Sequence, residues 1–336
     1  MEPNRYLIVG LGPVGQVFGA HLVEAEIDVS LWTKPSQAEK FKNRAIQIQN
    51  YGRHADRLVE HPKIVTEISQ VDQNKKHVVF LCVQSTKIPT TFHQIETLPN
   101  DWPIVFFSAG FKDGSILQER FPQKHFIHGY PGFSAFQDGN LIQNKITKLM
   151  PTMMEDLKKP ADDPLIDSIL ADIEKSSLPT KKMANIQAQL YPIFAYGMVV
   201  LLGAEYHGWH FLALAQDKRL MKKIVAGGKE AADVVIHHFQ ITPTRWQRLI
   251  LKFPPSFIRF MTQVFLGAGD SHQARMWSIH AKKIREQTHQ MVDLLLSCKS
   301  REQVEFVLEK PLQALFGKGR KGFFLSAGHA AITGVQ

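Results

Sequence analysis

Three glycines, Gly10, Gly12 and Gly15, stand in GxGxxG spacing between an apolar run, Tyr6 to Val9, and a segment with helical apolar periodicity, Val14, Val17, Phe18, Leu22 and Ala25. The first glycine permits a tight turn out of a strand. The second lets backbone approach a pyrophosphate with no Cβ in the way, and the third lets helix and strand pack closely. With Ile27 to Trp32 as the next strand, Arg5 to Thr33 reads as strand, turn, helix, strand. Gly10, Gly12, Pro13, Val14 and Gly15 are therefore the candidate dinucleotide-binding residues, and the first-turn amides of the helix, with its macrodipole, favour the phosphates.

Which dinucleotide is decided at the tip of the second strand, where an acid about 20 residues past the glycines would bind the ribose 2′-hydroxyl of NAD. The chain reads Trp32, Thr33, Lys34, Pro35, Ser36, with no acid. Thr33, Lys34 and Ser36 supply a cation and two hydroxyls suited to a 2′-phosphate, which predicts NADP over NAD.

The alternation continues. His77 to Val83 and Ile104 to Phe107 are β-branched and aromatic runs of the kind found in buried parallel strands, with a helix-length crossover, Gln84 to Leu98, between them. Phe126 to His128 is a further strand, and Leu141 to Leu149 supplies late strands after the turn at Asp138, Gly139 and Asn140. Strands alternating with helices predict an α/β doubly wound parallel sheet of Rossmann type over residues 1–175, with ligands at the carboxyl ends of the strands. Beyond Lys158 the style changes, and residues 176–336 are expected to form a mostly α-helical domain. Helical spacing recurs in Leu165 to Ile173, Met221 to Phe239, Phe257 to Leu266, His272 to Cys298 and Arg301 to Leu315. Leu190 to Ala204 is apolar but short of the ~20 residues that span a bilayer, so it reads as a core helix or helix pair, with a homodimer or domain interface expected from its length.

The chain has 336 residues with 44% hydrophobic and 21% charged, which fits a globular protein and excludes a disordered or fibrous one. A strand beginning near Tyr6 leaves no room for a signal peptide, and Cys82 and Cys298 form no CxxC pair or disulfide framework. A cytoplasmic protein is expected. The net charge of +9 suits an enzyme that collects an anionic cofactor and a small anionic substrate, without a nucleic-acid or membrane partner. Fifteen histidines are present, but no HExxH or other ligand spacing appears, so no metal is expected. The basic, aromatic stretch Thr244 to Phe260 has the residue types of a membrane-surface helix, but Pro254 and Pro255 break it and favour a helix-turn-helix corner.

Five segments together resemble the ketopantoate reductases (2-dehydropantoate 2-reductases). They are GLGPVGQ at Gly10 to Gln16, FLCV at Phe80 to Val83, SAG at Ser108 to Gly110, GYPGFSAFQDGNLI at Gly129 to Ile142 and KKMANIQAQLYPIFA at Lys181 to Ala195. The resemblance implies NADPH-dependent reduction of a 2-keto acid to a 2-hydroxy acid between a Rossmann domain and a helical one. It also implies that Lys181 and Asn185 are catalytic and Gln189 binds substrate, following the lysine and amides at four and eight residues on the family's catalytic helix. In the second domain the family has a substrate-binding serine and a glutamate that meets the lysine, for which Ser271 and Glu286 are the nearest candidates.

The chain departs from the family in several places. Gln189 stands for an asparagine, with the next proline delayed to Pro192, and Ser271 and Glu286 are 15 residues apart where about a dozen is usual. Two cofactor-side positions differ as well. Gln84 stands where a cofactor-binding lysine is usual, with Lys87 one turn later, and Ala109 replaces an asparagine expected near the nicotinamide, leaving Ser108 as the substitute. These four are carried as cofactor-site candidates. The departures keep a second hypothesis alive, a dinucleotide-binding protein of this fold without turnover.

Overall fold

The computed structural model describes residues 4–41, 44–51, 54–146, 150–156, 164–266 and 272–299. The chain divides into two compact units, Met1–Ile186 and Gln187–Gln336.

The first unit is built on β1 (Tyr6–Val9), α1 (Pro13–Glu24), β2 (Val29–Trp32), α2 (Pro35–Ala38), β3 (Ile46–Asn50), β4 (Arg57–Val59), β5 (Ile64–Val65), β6 (Val78–Leu81), α3 (Phe92–Thr97), β7 (Pro103–Phe107), α4 (Asp113–Arg120), β8 (His125–Tyr130), β9 (Phe133–Asp138), β10 (Leu141–Ile146), β11 (Thr152–Asp156), α5 (Pro164–Lys175) and β12 (Thr180–Lys182). Eight strands form one sheet in the order β12-β11-β8-β7-β6-β1-β2-β5. The six from β8 to β5 are parallel, and β11 runs antiparallel to β8. Every residue of β1, β2, β6 and β7 is buried, as covering both faces of a parallel sheet requires. The chain passes from β1 to β2 on one side and returns to β6 on the other, so the switch point lies between β1 and β6, where doubly wound sheets bind ligands.

A second, four-stranded sheet, β4-β3-β10-β9, contains the 138–140 hairpin turn, with Gly139 at φ 60°. Its inward residues Ile46, Ile48, Phe133, Ala135 and Ile142 share one core with α1 and with Tyr6, Ile8, Leu31 and Phe80 of the large sheet. Helix α1 is thus enclosed, buried from Gly15 through Leu22. The opposite face of the large sheet, with Leu7, Val79, Leu81, Ile104 and Phe106, packs on Ile88, Ile95, Trp102 and Leu117.

The second unit is helical: α6 (Ile186–Tyr206), α7 (Phe211–Gln216), α8 (Lys218–His238), α9 (Arg245–Lys252), α10 (Pro255–Leu266), α11 (His272–Lys283) and α12 (Arg285–Lys299). Helix α6 is long and apolar enough to cross a membrane by length and composition, and 61% of its most apolar window is buried within the protein. Asp217 caps α8 by accepting from the Leu220 amide at 2.8 Å. Glu205 at the end of α6 holds α12 through Arg285 Nε and His289 Nε2, each at 2.7 Å.

Three expectations change. The first unit runs on to Ile186, past the 175/176 boundary, because β12 pairs with β11 at the sheet edge. Of the expected late strands, β10 covers Leu141–Ile146 and residues 147–149 lie outside the described residues, while β11 and the second sheet's β3, β4 and β9 were not foreseen. Most consequentially, Lys181 is not on a helix. It lies in β12, Asn185 falls in the connection, and α6 begins at Ile186, so the 181-185-189 helical stripe does not exist. Ser271 and the Arg301 to Leu315 segment lie outside the described residues.

Candidate functional site

The glycine loop crosses the switch point. Gly10 has φ 98°, and a Cβ there would stand 2.8 Å from Cys82 O and from Val83 Cγ1, in the connection after β6. A Cβ on Gly15 would stand 2.0 Å from Gly10 O, so the loop folds back onto its own helix with no room for a side chain. Gly12 differs: it is exposed at the N-cap of α1, and a Cβ there meets nothing within 4 Å. Gln16 holds the loop from inside by donating its Nε2 to Leu11 O at 2.9 Å. Pro13 at the first helical position has no amide to satisfy. The loop is therefore a tight cradle with its one open surface at Gly12, which suits a pyrophosphate.

At the carboxyl end of β2 a cleft of about 330 Å³ is lined by Thr33, Lys34, Thr66, Glu67, His93 and Thr97, among others. Trp32 Nε1 donates to Thr66 O at 3.0 Å and the Thr33 amide to Val65 O at 3.0 Å, fixing the strand tip against β5. Thr33 is buried and Lys34 exposed. An acid does reach this cleft, from the end of β5: Glu67, whose carboxylate caps the short turn Ile68–Gln70. A search confined to the β2 tip could not find it.

The connections after β6 and β7 are tied together by Asp113, a residue sequence reasoning missed. Its buried carboxylate accepts from Ser85 Oγ at 2.7 Å, from Ser108 Oγ, and from the Gly110 amide at 2.9 Å. Burial pushes its pKa up, and these hydrogen bonds pull it back. A Cβ on Gly110 would stand 2.2 Å from Ser85 Oγ, so glycine is required where the two loops meet. The consequence corrects one expectation: the Ser108 hydroxyl is engaged by Asp113 rather than offered in place of an asparagine at Ala109. Gln84, half-buried, caps the turn Ser85–Thr91 without a side-chain cap bond, and Lys87 is exposed on that turn. His128 of β8 stacks on Phe106 with centroids 4.8 Å apart and donates Nε2–H to Ser108 O at 3.3 Å. Its burial pushes its pKa down to about 4.

Lys181 stands in register with Met153, which itself faces Tyr130 at the carboxyl end of β8. The candidate lysine thus lies at the ligand-binding end of the sheet, on its edge strand, exposed. Lys182 points to the other face and is held by Asp167, with Nζ at 2.8 and 2.9 Å from the two oxygens. Glu155, two residues past the register partner of Lys181 and on the same strand face, accepts from the Ile186 amide at 2.5 Å. Burial pushes its pKa up to about 7. Glu286 lies in the other unit, exposed in the first turn of α12, and Gln189 is half-buried in α6. Among the described residues no group of three or more His, Cys, Asp or Glu side chains could hold a metal.

Because Glu155 holds its proton more tightly in the folded chain than at its ordinary value of 4.5, its contribution to stability is full below that value and lost as pH rises through about 7. Glu155→Gln keeps a carbonyl for the Ile186 amide and carries no charge. Its urea midpoint is therefore expected to gain on the parent protein from about pH 5 to about pH 8. A constant difference across that range would assign Glu155 an ordinary pKa.

An open, mostly parallel sheet with a glycine turn at its switch point, followed by a helical unit, defines a Rossmann-type fold. Residues 6–148 match the family model described as ketopantoate reductase PanE/ApbA, so the first unit is similar to that family's domain. Similar solved structures include 2-dehydropantoate 2-reductase from Geobacter metallireducens, 12% identical with a TM-score of 0.71, covering 93% of this chain and 98% of that one. A PanE/ApbA family ketopantoate reductase from Ralstonia eutropha gives 12%, 0.72, 92% and 96%. D-mandelate dehydrogenase with NADH and anilino(oxo)acetate gives 13%, 0.68, 92% and 96%. At such identities the likeness is one of fold. No curated protein matches the sequence.

Proposed function

We propose that this chain is an NADPH-dependent reductase of a 2-keto acid, with ketopantoate one candidate substrate among branched 2-keto acids. The observation that carries this reading is the cradle at Gly10, Gly12 and Gly15, joined along the sheet's carboxyl edge to a cleft with Thr33 and Lys34. The matched family model and the dehydrogenase folds support the reaction class. A bound nicotinamide supplies the hydride. Lys181 donates a proton to the oxygen that gains charge as the ketone is reduced, and Asn185 holds that oxygen with its amide. Glu155, with its raised pKa, is suited to set the protonation of the site. Gln189 is the candidate substrate-binding amide.

Cofactor choice tests the cleft directly. NADPH is expected to bind at least about ten times more tightly than NADH, a difference of ~1.4 kcal/mol, and Lys34→Glu to remove most of that preference. Equal affinities, measured by fluorescence titration, would remove the 2′-phosphate argument and give weight to Glu67. Oxidation of NADPH with a panel of branched 2-keto acids tests turnover. The second reading, a dinucleotide-binding protein without turnover, is favoured by Ala109 and by the engagement of Ser108 with Asp113, and predicts binding without oxidation.

A further inference from the structure

Trp246, Leu249 and Phe253, and then Phe257, Phe260 and Val264, repeat at i, i+3 and i+7 along α9 and α10, the spacing of one helix face. Trp246 is 64% exposed, Phe260 56% and Val264 55%. The rings of Phe253 and Phe257 meet at 4.4 Å across Pro254, joining the two stripes into one. Five of the nine exposed large hydrophobic residues among the described residues fall here. Single exposed apolar residues are ordinary, but a continuous stripe marks a contact surface.

The charge beside the stripe has one sign. Arg245, Arg248 and Lys252 follow the same spacing one residue earlier, about 100° around the helix, and Arg259 continues on α10. No Asp or Glu occurs between Asp233 and Asp270. The stripe is held outward. Gln247 is buried and donates Nε2 to the carbonyls of Ala188 and Gln189, each at 2.7 Å, while Thr244 and Gln247 close a capping box at the start of α9.

We infer that the α9–α10 face docks on an anionic lipid surface, its apolar stripe in the headgroup boundary and its cations among the phosphates. Aromatic and aliphatic residues on one face with a row of Arg and Lys alongside is the composition of helices that lie in that boundary. Each helix is far too short to span a bilayer. A symmetric contact with a second copy would set the cation row against itself, and this disfavours self-association through the same face. The expectation of no membrane partner, drawn from the proline break, is revised on this ground: the break turns the chain but leaves the stripe continuous.

Co-sedimentation of the full chain with vesicles tests the inference. Binding is expected to phosphatidylserine–phosphatidylcholine vesicles and at least about tenfold weaker binding to phosphatidylcholine alone. Replacing Arg245, Arg248 and Lys252 together by Gln should weaken binding to the anionic vesicles about 100-fold. Trp246→Ser with Phe260→Ser should also reduce it at least about tenfold, with the circular dichroism and dinucleotide affinity of the parent, since these side chains are exposed. Binding to neither vesicle, equal binding to both, or a dimer dissociated by the Trp246 and Phe260 changes would overturn the proposal, the last giving the face to a second copy.

Discussion

Lys181→Ala is expected to lower turnover by ~10²- to 10⁴-fold, the range for a general acid, with dinucleotide affinity nearly unchanged. Lys182→Ala is the internal control. Because both residues are in β12, their side chains point to opposite faces of the sheet. Lys182 holds Asp167 in a partly exposed ion pair, which is worth at most about 1 kcal/mol of stability. Single-turnover kinetics of the two variants with NADPH separate the roles. If Lys182→Ala is the damaging change, the reacting group approaches from the α5 side. If neither affects an otherwise measurable rate, the family's lysine has no counterpart at this position, and Glu155 becomes the first group to replace.

Gly12→Asn is expected to weaken dinucleotide binding by ~10²-fold or more while leaving the thermal midpoint of the free protein unchanged. Asparagine is a favourable N-cap residue, and Gly12 has an extended backbone, φ −69° and ψ 177°, that any residue adopts. Its Cβ enters empty space in the free protein, and that space is where the pyrophosphate would lie. Gly15→Ala should do the reverse, destabilising the fold itself through the collision with Gly10 O. Isothermal titration and thermal unfolding of both variants distinguish the two glycines. Normal cofactor affinity in Gly12→Asn would reduce the loop to a structural turn.

What the sequence discloses here follows from where the information is stored. The glycine spacing and the all-buried strands are local signals, since a parallel strand covered on both faces must be apolar throughout. The Asp138 to Asn140 turn is local as well. The strand at Thr180 to Lys182 is not, because its three polar residues take β geometry only from pairing with β11. The match of Lys181, Asn185 and Gln189 to the spacing of the family's catalytic helix put Lys181 into the wrong element. Asp113 and Glu155 have no motif around them. Their importance comes from burial and from partners distant in sequence: Ser85 lies 28 residues before Asp113, and Ile186 lies 31 after Glu155. Glu67 was hidden for the same reason, since only the pairing of β2 with β5 carries it to the cleft.

The enclosure of α1 between two sheets has a consequence for how this protein can diverge. The glycine turn proposed to hold the pyrophosphate leads straight into the buried helix that joins the two sheets into one core, so changes at Gly10 and Gly15, unlike those at Gly12, also change the stability of the whole domain. Lys34, by contrast, is exposed at a strand tip, where substitution usually moves stability by less than about 0.5 kcal/mol. Selection can therefore exchange one dinucleotide for another at the tip of β2 without disturbing the loop. Within a lineage, cofactor preference should drift faster than the ability to bind a cofactor at all.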